Sequence, residues 1–195
     1  MPFIFNKTYW ENCWKENKIG WDAGSISTPV KEYIDQLNNK SIKILVPGAG
    51  SGYEVEYLHK KGFLAVFYMD FAESSVQSFL KRVPDFPENR IITEDFFKHK
   101  GNYDLIIELA FFTSFLPERR SEYIQKIDEL LNKKGKLVGL FFNHEFGNNF
   151  PPFGGTEKEY KKLFAPKFKI KYMETAYNSI KPRAGRELFI LLQKI

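Results

Sequence analysis

The sequence predicts an α/β protein with a doubly wound, seven-stranded, mostly parallel sheet and a helical lid at its N-terminus. From residue 43 onward, short runs rich in β-branched and aromatic residues alternate with longer stretches of helical pattern. Such alternation is typical of parallel strands joined by helical crossovers. With 195 residues, 43% of them hydrophobic, the chain has the apolar material for one domain spanning residues 1–195.

Seven runs are predicted as strands because each is short, apolar and bounded by turn residues. They are residues 43–46, 64–69, 91–94, 103–109, 136–142, 168–174 and 187–193. Helices are predicted between them at residues 53–61, 73–82, 118–132 and 157–164, with Gly62 and Gly135 as stop signals. The last two strands are joined by a loop that contains Pro182 and Gly185, which predicts an antiparallel finish.

Residues 1–40 have a helical pattern without a strand, which predicts an N-terminal cap outside the sheet. All three tryptophans of the chain, Trp10, Trp14 and Trp21, lie in this segment. Steps of four and seven residues put them on one face if a single helix runs through Gly20. Such a stripe is either packing against the sheet or the inner face of a lid, and three rings favour the lid.

The composition favours a soluble protein with a cytoplasmic location, and we expect its substrate to be a small molecule. A single cysteine, Cys13, excludes an internal disulfide and fits a reducing compartment. The N-terminal apolar run is too short for a signal peptide, and no segment reaches the roughly 18 apolar residues of a membrane span. The net charge of +5 comes from Lys and Arg scattered among Asp and Glu, which favours a solvated surface. We expect a monomer or weak dimer, no metal site, and neither nucleic acid nor membrane as a partner.

The turn after the first strand has the pattern G-x-G-x-G at Gly48, Gly50 and Gly52. Glycines permit a tight reversal there and leave bare backbone for a nucleotide to approach. Asp70, 22 positions after Gly48, ends the second strand, where a carboxylate can hold the hydroxyls of a ribose. The turn alone would also suit a plain tight connection, but together with Asp70 it predicts an adenosine-containing cofactor.

The glycine pattern departs from the dinucleotide fingerprint G-x-G-x-x-G, because Tyr53 occupies the position of the last glycine. That glycine allows a helix and a strand to pack closely around a pyrophosphate. Its absence favours a cofactor without a pyrophosphate, and S-adenosylmethionine is the cofactor we expect.

Further candidates follow the later strands, because ligands of open α/β sheets lie beyond the carboxyl ends of the strands. After the third strand, Asp95 can accept a hydrogen bond from an adenine amino group and Phe96 can cover the base. After the fourth strand, Glu108 stands next to the expected methyl donor, with Phe111 and Phe112 as candidate walls of a substrate pocket. A helix cap for the aspartate and core packing for the phenylalanines are the ordinary alternatives.

After the fifth strand, His144 or Glu145 is a candidate group to take a proton from the acceptor, and Glu108 is another. A hydrogen-bonded loop histidine without a catalytic role is an equally good interpretation of His144.

Six segments spread over nearly the whole chain carry a family resemblance: Tyr9-Trp10-Glu11-Asn12-Cys13-Trp14, Gly20-Trp21-Asp22, Leu45-Val46-Pro47-Gly48-Ala49-Gly50, Tyr103-Asp104-Leu105-Ile106, Pro151-Pro152-Phe153 and Arg183-Ala184-Gly185-Arg186-Glu187-Leu188. They resemble the thiopurine S-methyltransferase family, in particular its halide/thiol methyltransferase branch. The resemblance implies a Rossmann-like class I methyltransferase fold that uses S-adenosylmethionine. By matching position, it implies that the cofactor is bound by Trp10, Trp14, Trp21, Gly48, Asp70 and the pair Asp95-Phe96. Family members often carry Asp-Arg or Asp-Tyr after the fourth strand, where this chain has Glu108-Leu109.

The sequence therefore predicts an enzyme that transfers a methyl group to a small soft nucleophile: a thiol, hydrosulfide, halide or thiopurine-like sulfur. Such acceptors need little help from a base, so the protein has mainly to align and dehydrate them. Two alternatives remain. One is a small-molecule O- or N-methyltransferase of the same fold, which would use an explicit base. The other is a non-catalytic protein that binds S-adenosylmethionine as a sensor or binds nucleic acid.

Overall fold

The computed structural model describes residues 5–147 and 149–195. Within them the helices are α1 (Lys7–Lys15), α2 (Thr28–Asp35), α3 (Tyr53–Lys60), α4 (Glu73–Arg82), α5 (Arg120–Leu130) and α6 (Glu157–Phe164). The strands are β1 (Lys43–Pro47), β2 (Ala65–Met69), β3 (Ile91–Ile92), β4 (Tyr103–Leu109), β5 (Leu131–Phe142), β6 (Phe168–Thr175) and β7 (Glu187–Lys194). In this part of the chain, no helix is long and apolar enough to cross a membrane.

The seven strands form one sheet with the order β3-β2-β1-β4-β5-β7-β6. Strands β1 to β5 are parallel, whereas β7 is antiparallel to both of its neighbours, β5 and β6. The predicted doubly wound sheet and its antiparallel finish are therefore confirmed. The chain runs outward from β1 to β3 and then returns to the other side of β1, so the strand order reverses between β1 and β4. In such sheets the crevice beyond the carboxyl ends of these two strands is where ligands bind.

An apolar layer covers each face of the sheet. In β1, Leu45 packs into one layer while Ile44 and Val46 pack into the other. Strand β4 divides its residues in the same way, with Ile106 in the first layer and Ile107 in the second. This alternation is the two-residue period of a pleated strand, and burial of both faces is typical of parallel sheets.

Strand β5 begins at Leu131, so the helix expected to reach residue 132 ends at Leu130 and the sequence prediction was wrong there. Leu131 pairs with Tyr103, and the register between the two strands shifts just beyond this pair. Gly135 lies inside the strand, where a Cβ would stand 2.8 Å from the carbonyl oxygen of Asn132. A glycine that follows a helix and a glycine at an irregular strand position look alike in sequence, which explains the error.

The N-terminal segment forms two short helices instead of one long helix. Helix α1 ends at Lys15 and α2 begins at Thr28, so Trp21 lies between them and a single helical stripe of tryptophans does not form. Helix α2 buries Val30 and Ile34 completely. Helix α1, all of whose residues are described, buries none of them.

Polar contacts attach α1 to the first turn of α4. The Glu11 carboxylate accepts hydrogen bonds from the backbone nitrogen of Ser74 at 3.1 Å and from its hydroxyl at 2.5 Å. Lys7 forms an exposed ion pair with Glu73 at 2.6 Å. Exposed ion pairs contribute little to stability, so α1 is attached more weakly than the helices that bury side chains.

Removal of residues 1–24 should leave a protein that unfolds cooperatively, because α1 supplies no buried side chain to the core. In the full-length chain, Ile34→Ala should lower the free energy of unfolding by about 2–5 kcal/mol, since truncation of a buried isoleucine leaves a cavity. Urea unfolding followed by circular dichroism measures both changes. A larger loss from the truncation than from Ile34→Ala would contradict this account of α1.

Candidate functional site

The turn between β1 and α3 holds three glycines in the left-handed conformation. The φ angle is +59° at Gly48, +52° at Gly50 and +69° at Gly52. Glycine adopts these angles without the steric cost that a Cβ brings. The repeated glycines of the sequence pattern are thus explained first by the backbone conformation of the turn.

The glycines have different surroundings. A Cβ on Gly48 would stand 2.1 Å from a ring carbon of Phe111, and one on Gly52 would meet a core ring at 2.5 Å. These two glycines are needed for close packing. A Cβ on Gly50 would instead stand at an ordinary contact distance, 3.7 Å, from the indole of Trp14. Gly50 is therefore the glycine whose bare backbone faces α1 across the turn.

Asp70 follows β2 and lies against the glycine turn. Its Oδ2 accepts a hydrogen bond from the backbone nitrogen of Gly50 at 3.0 Å, and its Oδ1 accepts one from Ala72 at 2.9 Å. Burial raises the pKa of the Asp70 carboxyl, and the backbone donors partly offset this effect. The structure thus places together Gly50 and Asp70, which are 20 residues apart in sequence.

Residues 5–27, here called the strap, pass over the glycine turn. The rings of Trp10 and Trp21 meet edge to face with centroids 5.3 Å apart. The Asp22 carboxylate accepts a hydrogen bond from the Ser51 hydroxyl, which belongs to the turn. All three tryptophans therefore lie near the turn. The loop after α1 brings Trp21 back to Trp10, so the three rings do not share one helical face.

Asp95 and Phe96 follow β3 but occupy different surroundings. The Asp95 carboxylate is partly buried and accepts a hydrogen bond from the backbone nitrogen of Phe97 at 2.9 Å, which caps the turn that follows. Phe96 is almost fully buried, with its ring 5.2 Å from that of Phe111. Phe96 therefore belongs to the wall behind Phe111, while Asp95 lies nearer the surface.

The two phenylalanines after β4 also differ. Phe111 is partly buried and lies against Gly48, at the floor of the crevice. Phe112 is fully buried and stacks on Phe141, with ring centroids 4.5 Å apart. Of this pair, Phe111 lies beside the glycine turn and Phe112 lies in the core.

Glu108 is fully buried beneath the loop after β4. Its Oε2 accepts a hydrogen bond from the backbone nitrogen of Phe112 at 2.6 Å, and its Oε1 has no hydrogen-bond partner among the described residues. Burial raises the pKa of Glu108 to about 8, so the group carries its proton near neutrality. Gly139 lies opposite in β5, where a Cβ would stand 2.0 Å from the Glu108 carbonyl oxygen. Glu108 therefore shapes the loop from within and does not line an open surface.

His144 is exposed on the loop after β5, and its ring lies against that of Phe146 at 4.9 Å. A cavity of about 320 Å³ adjoins this loop and is lined in part by Glu145, Phe146 and Phe153. Phe5, in the strap, contacts Phe153 with ring centroids 5.6 Å apart. The loop that carries His144 and the start of the strap therefore meet at this cavity.

Arg120, at the start of α5, lines the same cavity and was missed in the sequence. It is almost fully buried, and it donates hydrogen bonds to Glu159 at 2.5 Å and to the carbonyl oxygen of Gly154 at 2.7 Å. Arg119 precedes it and is exposed. Two successive arginines at a helix start give no signal of which one points inward, so only the fold identifies Arg120.

Glu54, in the first turn of α3, is a second residue beside the glycine turn that the sequence did not single out. It is buried, it accepts a hydrogen bond from the backbone nitrogen of Ser27 at 3.2 Å, and burial raises the pKa of its carboxyl. The helix N-terminus after a glycine turn is where a pyrophosphate binds in dinucleotide folds. A carboxylate at that place opposes a pyrophosphate, which agrees with the missing third glycine at Tyr53.

No group of three or more His, Cys, Asp or Glu side chains within residues 5–147 and 149–195 is arranged to hold a metal ion.

The raised pKa of Glu108 should make the protein less stable as the pH rises from about 4.5 to about 8. Over this range the Glu108 carboxyl is deprotonated in the unfolded chain but keeps its proton in the folded chain. Folding therefore takes up a proton, and this becomes less favourable as the pH rises. Above about pH 8 both states are deprotonated and the effect levels off. Glu108→Gln keeps an acceptor for the Phe112 nitrogen and should remove this part of the slope. The melting temperature across this pH range measures it, with Glu145→Gln, an exposed site, as the control. An unchanged slope in Glu108→Gln would show that the buried carboxyl is not responsible.

A family model described as thiopurine S-methyltransferase (TPMT) matches residues 5–189 of this chain. Thiocyanate methyltransferase 1 of Brassica oleracea is 28% identical over 193 residues, which cover 96% of this chain and 85% of that protein. Probable thiol methyltransferase 2 of Arabidopsis thaliana is 27% identical over 162 residues, which cover 80% of this chain and 71% of that protein.

A solved structure supports the fold. It is that of Burkholderia thailandensis 1,6-didemethyltoxoflavin-N1-methyltransferase with bound 1,6-didemethyltoxoflavin and S-adenosylhomocysteine. It matches with a TM-score of 0.79 and 17% identity, and the match covers 96% of this chain and 86% of that one. At this identity the likeness establishes the class I methyltransferase fold alone. Because the family model spans residues 5–189, the chain belongs to the thiopurine S-methyltransferase family and is a methyltransferase that uses S-adenosylmethionine.

Proposed function

We propose that the protein transfers the methyl group of S-adenosylmethionine to a small soft nucleophile: a thiol, hydrosulfide, halide or thiopurine-like sulfur. The placement of the two candidate bases carries this proposal. Glu108 is sealed beneath its loop with its proton bound, and His144 lies exposed on another loop. A soft nucleophile needs neither, because a halide has no proton and a thiol ionises appreciably near neutrality. The relatives named thiocyanate and thiol methyltransferases support the same class of acceptor.

The residues around the glycine turn fit S-adenosylmethionine, which supplies a methyl group on a positively charged sulfur when bound. The Asp70 carboxylate can accept further hydrogen bonds beside those from Gly50 and Ala72, which suits the hydroxyls of a ribose. The indole of Trp14 lies beside Gly50, and the faces of aromatic rings attract cations. The buried Glu54 carboxylate is compatible with a cofactor that lacks phosphate groups.

The remaining predicted cofactor residues have separate tasks in this proposal. Trp10 and Trp21 form the roof of the site through their mutual ring contact. Asp95 accepts a hydrogen bond from the adenine amino group, and Phe96 supports the wall of the adenine site from behind Phe111. Because Gly48 has no side chain, the Phe111 ring can approach the turn closely.

The chain itself has to orient and dehydrate the acceptor. Phe111 forms an apolar floor, and the strap covers the turn from the other side. Alignment of two reactants in this way contributes up to about 7–11 kcal/mol to catalysis. Exclusion of water removes the hydration shell that makes an anionic nucleophile unreactive. In this proposal the strap is the lid, so removal of residues 1–24 abolishes methyl transfer even where the sheet folds.

A monomeric or weakly dimeric state, a cytoplasmic location and the absence of nucleic-acid and membrane partners stay predictions from the sequence.

Asp70→Ala should weaken the binding of S-adenosylhomocysteine by about 1.5–3 kcal/mol, the usual contribution of a hydrogen bond to a charged group. Isothermal titration calorimetry on the folded variant measures this. Asp104→Ala is the matched control, because Asp104 also accepts a hydrogen bond from a backbone nitrogen, that of Lys43 at 2.8 Å. It lies at the amino end of β4, opposite the crevice, and its loss should leave binding unchanged. Equal weakening in both variants would remove Asp70 from the cofactor site.

A panel of acceptors should identify the chemistry. We expect hydrosulfide, small thiols, thiocyanate, iodide or a thiopurine to yield S-adenosylhomocysteine and a methylated product, detected by chromatography and headspace analysis. His144→Ala should retain nearly full kcat/KM on the best of these, since the attack requires no base. A loss of about 10²-fold or more is the usual effect of removing a general base. Such a loss, with turnover only of oxygen or nitrogen acceptors, would favour the O- or N-methyltransferase alternative.

A further inference from the structure

Arg183 lies in the 3-10 turn Lys181–Arg183, shortly before β7, and its guanidinium is held on three sides. One nitrogen donates a hydrogen bond to the backbone carbonyl of Trp21. Another donates to the Glu187 carboxylate at 3.3 Å, and the guanidinium lies over the ring of Phe142 at 5.6 Å. The side chain is 17% exposed. Arg183 is thus a fixed support that contacts the strap at its main chain.

Glu187, the first residue of β7, fixes Arg183 in turn. It is almost fully buried and also accepts a hydrogen bond from the Ser179 hydroxyl at 2.7 Å. The carboxylate is therefore anchored to the sheet and to the loop at once. Because β7 pairs with β5 and β6 along its length, this anchor is rigid.

The carbonyl that Arg183 holds belongs to the part of the strap that touches the glycine turn. The next residue, Asp22, accepts a hydrogen bond from Ser51 of the turn, and the Trp21 ring packs on Trp10 of α1. Helix α1 buries no residue, so burial does not fix the strap there. Hydrogen bonds and ring contacts set its position, and Arg183 links it to β7 through Glu187.

We propose that Arg183 is a positioning residue for the cofactor. Arg183 holds the Trp21–Asp22 part of the strap closed over the glycine turn. This inference rests on the cofactor site proposed above. Arginine suits the task because its planar fork can donate to a carbonyl and a carboxylate at the same time, whereas the ammonium of lysine is a compact point charge on a flexible stem. Loss of the guanidinium leaves the strap free to move away from the turn. This movement weakens cofactor binding although Arg183 does not contact the cofactor.

Arg183→Met tests this, with Arg186→Met as the matched control because Arg186 lies in the same loop with an exposed side chain. S-adenosylhomocysteine affinity is measured by calorimetry, and strap closure by hydrogen exchange of residues 8–24 and by tryptophan fluorescence. We expect Arg183→Met to bind S-adenosylhomocysteine about tenfold more weakly, as for loss of a charge-assisted hydrogen bond, and to exchange faster in the strap. Arg186→Met should match the wild type in all three measurements.

Arg183→Lys should lie between Arg183→Met and the wild type, and it carries the test if Arg183→Met does not fold. Wild-type affinity and strap exchange in Arg183→Met, or equal weakening in Arg186→Met, would overturn the inference about Arg183 alone. Failure of the wild-type protein to bind S-adenosylhomocysteine would instead overturn the cofactor site, so the two failures are distinguishable.

Discussion

The arrangement of the site depends on the hydrogen bonds of the Asp70 carboxylate, because they join segments that follow different strands. Its two oxygens accept backbone hydrogen bonds from Gly50 in the glycine turn and from Ala72, next to the start of α4. Helix α4 presents Ser74, to which Glu11 of the strap is hydrogen-bonded. Turn, helix and strap are therefore linked in series through two acidic side chains, Asp70 and Glu11. A partly buried carboxylate that accepts such hydrogen bonds fixes the positions of its donors, and its desolvation is costly without them.

The loop after β4 is shaped by an acid that has no exposed surface, Glu108. Glu108 binds the backbone of Phe112, and the neighbouring Phe111 ring is thereby set against Gly48. A carboxyl group that keeps its proton at neutral pH presents no charge to an anionic acceptor nearby. The same residue would be a poor base, because it is closed off from the crevice and already protonated. Glu108 instead fixes the conformation of the loop after β4. This role agrees with a reaction that requires positioning of the reactants more than proton transfer.

The sequence was sufficient for the sheet, the glycine turn and the placement of Asp70 at the same edge of the sheet as that turn, because these follow from hydrophobic period and from strand ends that meet at one edge. It was insufficient wherever two environments share one sequence pattern. Phe111 and Phe112 are adjacent and chemically identical, yet one lies at the crevice and the other in the core. Arg120 owes its burial to contacts with residues more than thirty positions away. Long-range packing decides such cases, and a single sequence does not show it.

The place of β7 has a consequence for the order in which the chain acquires its structure during synthesis. Strand β6 is made first, but within the described residues its pairing partner is β7, which also completes the pairing of β5. A nascent chain that ends after β6 can therefore form the five parallel strands and nothing beyond them. Until β7 inserts, the edge of β5 and all of β6 expose unpaired backbone groups, which are a template for association with other chains. A chain that lacks β7 is thus the form of this protein with the most unpaired strand edge.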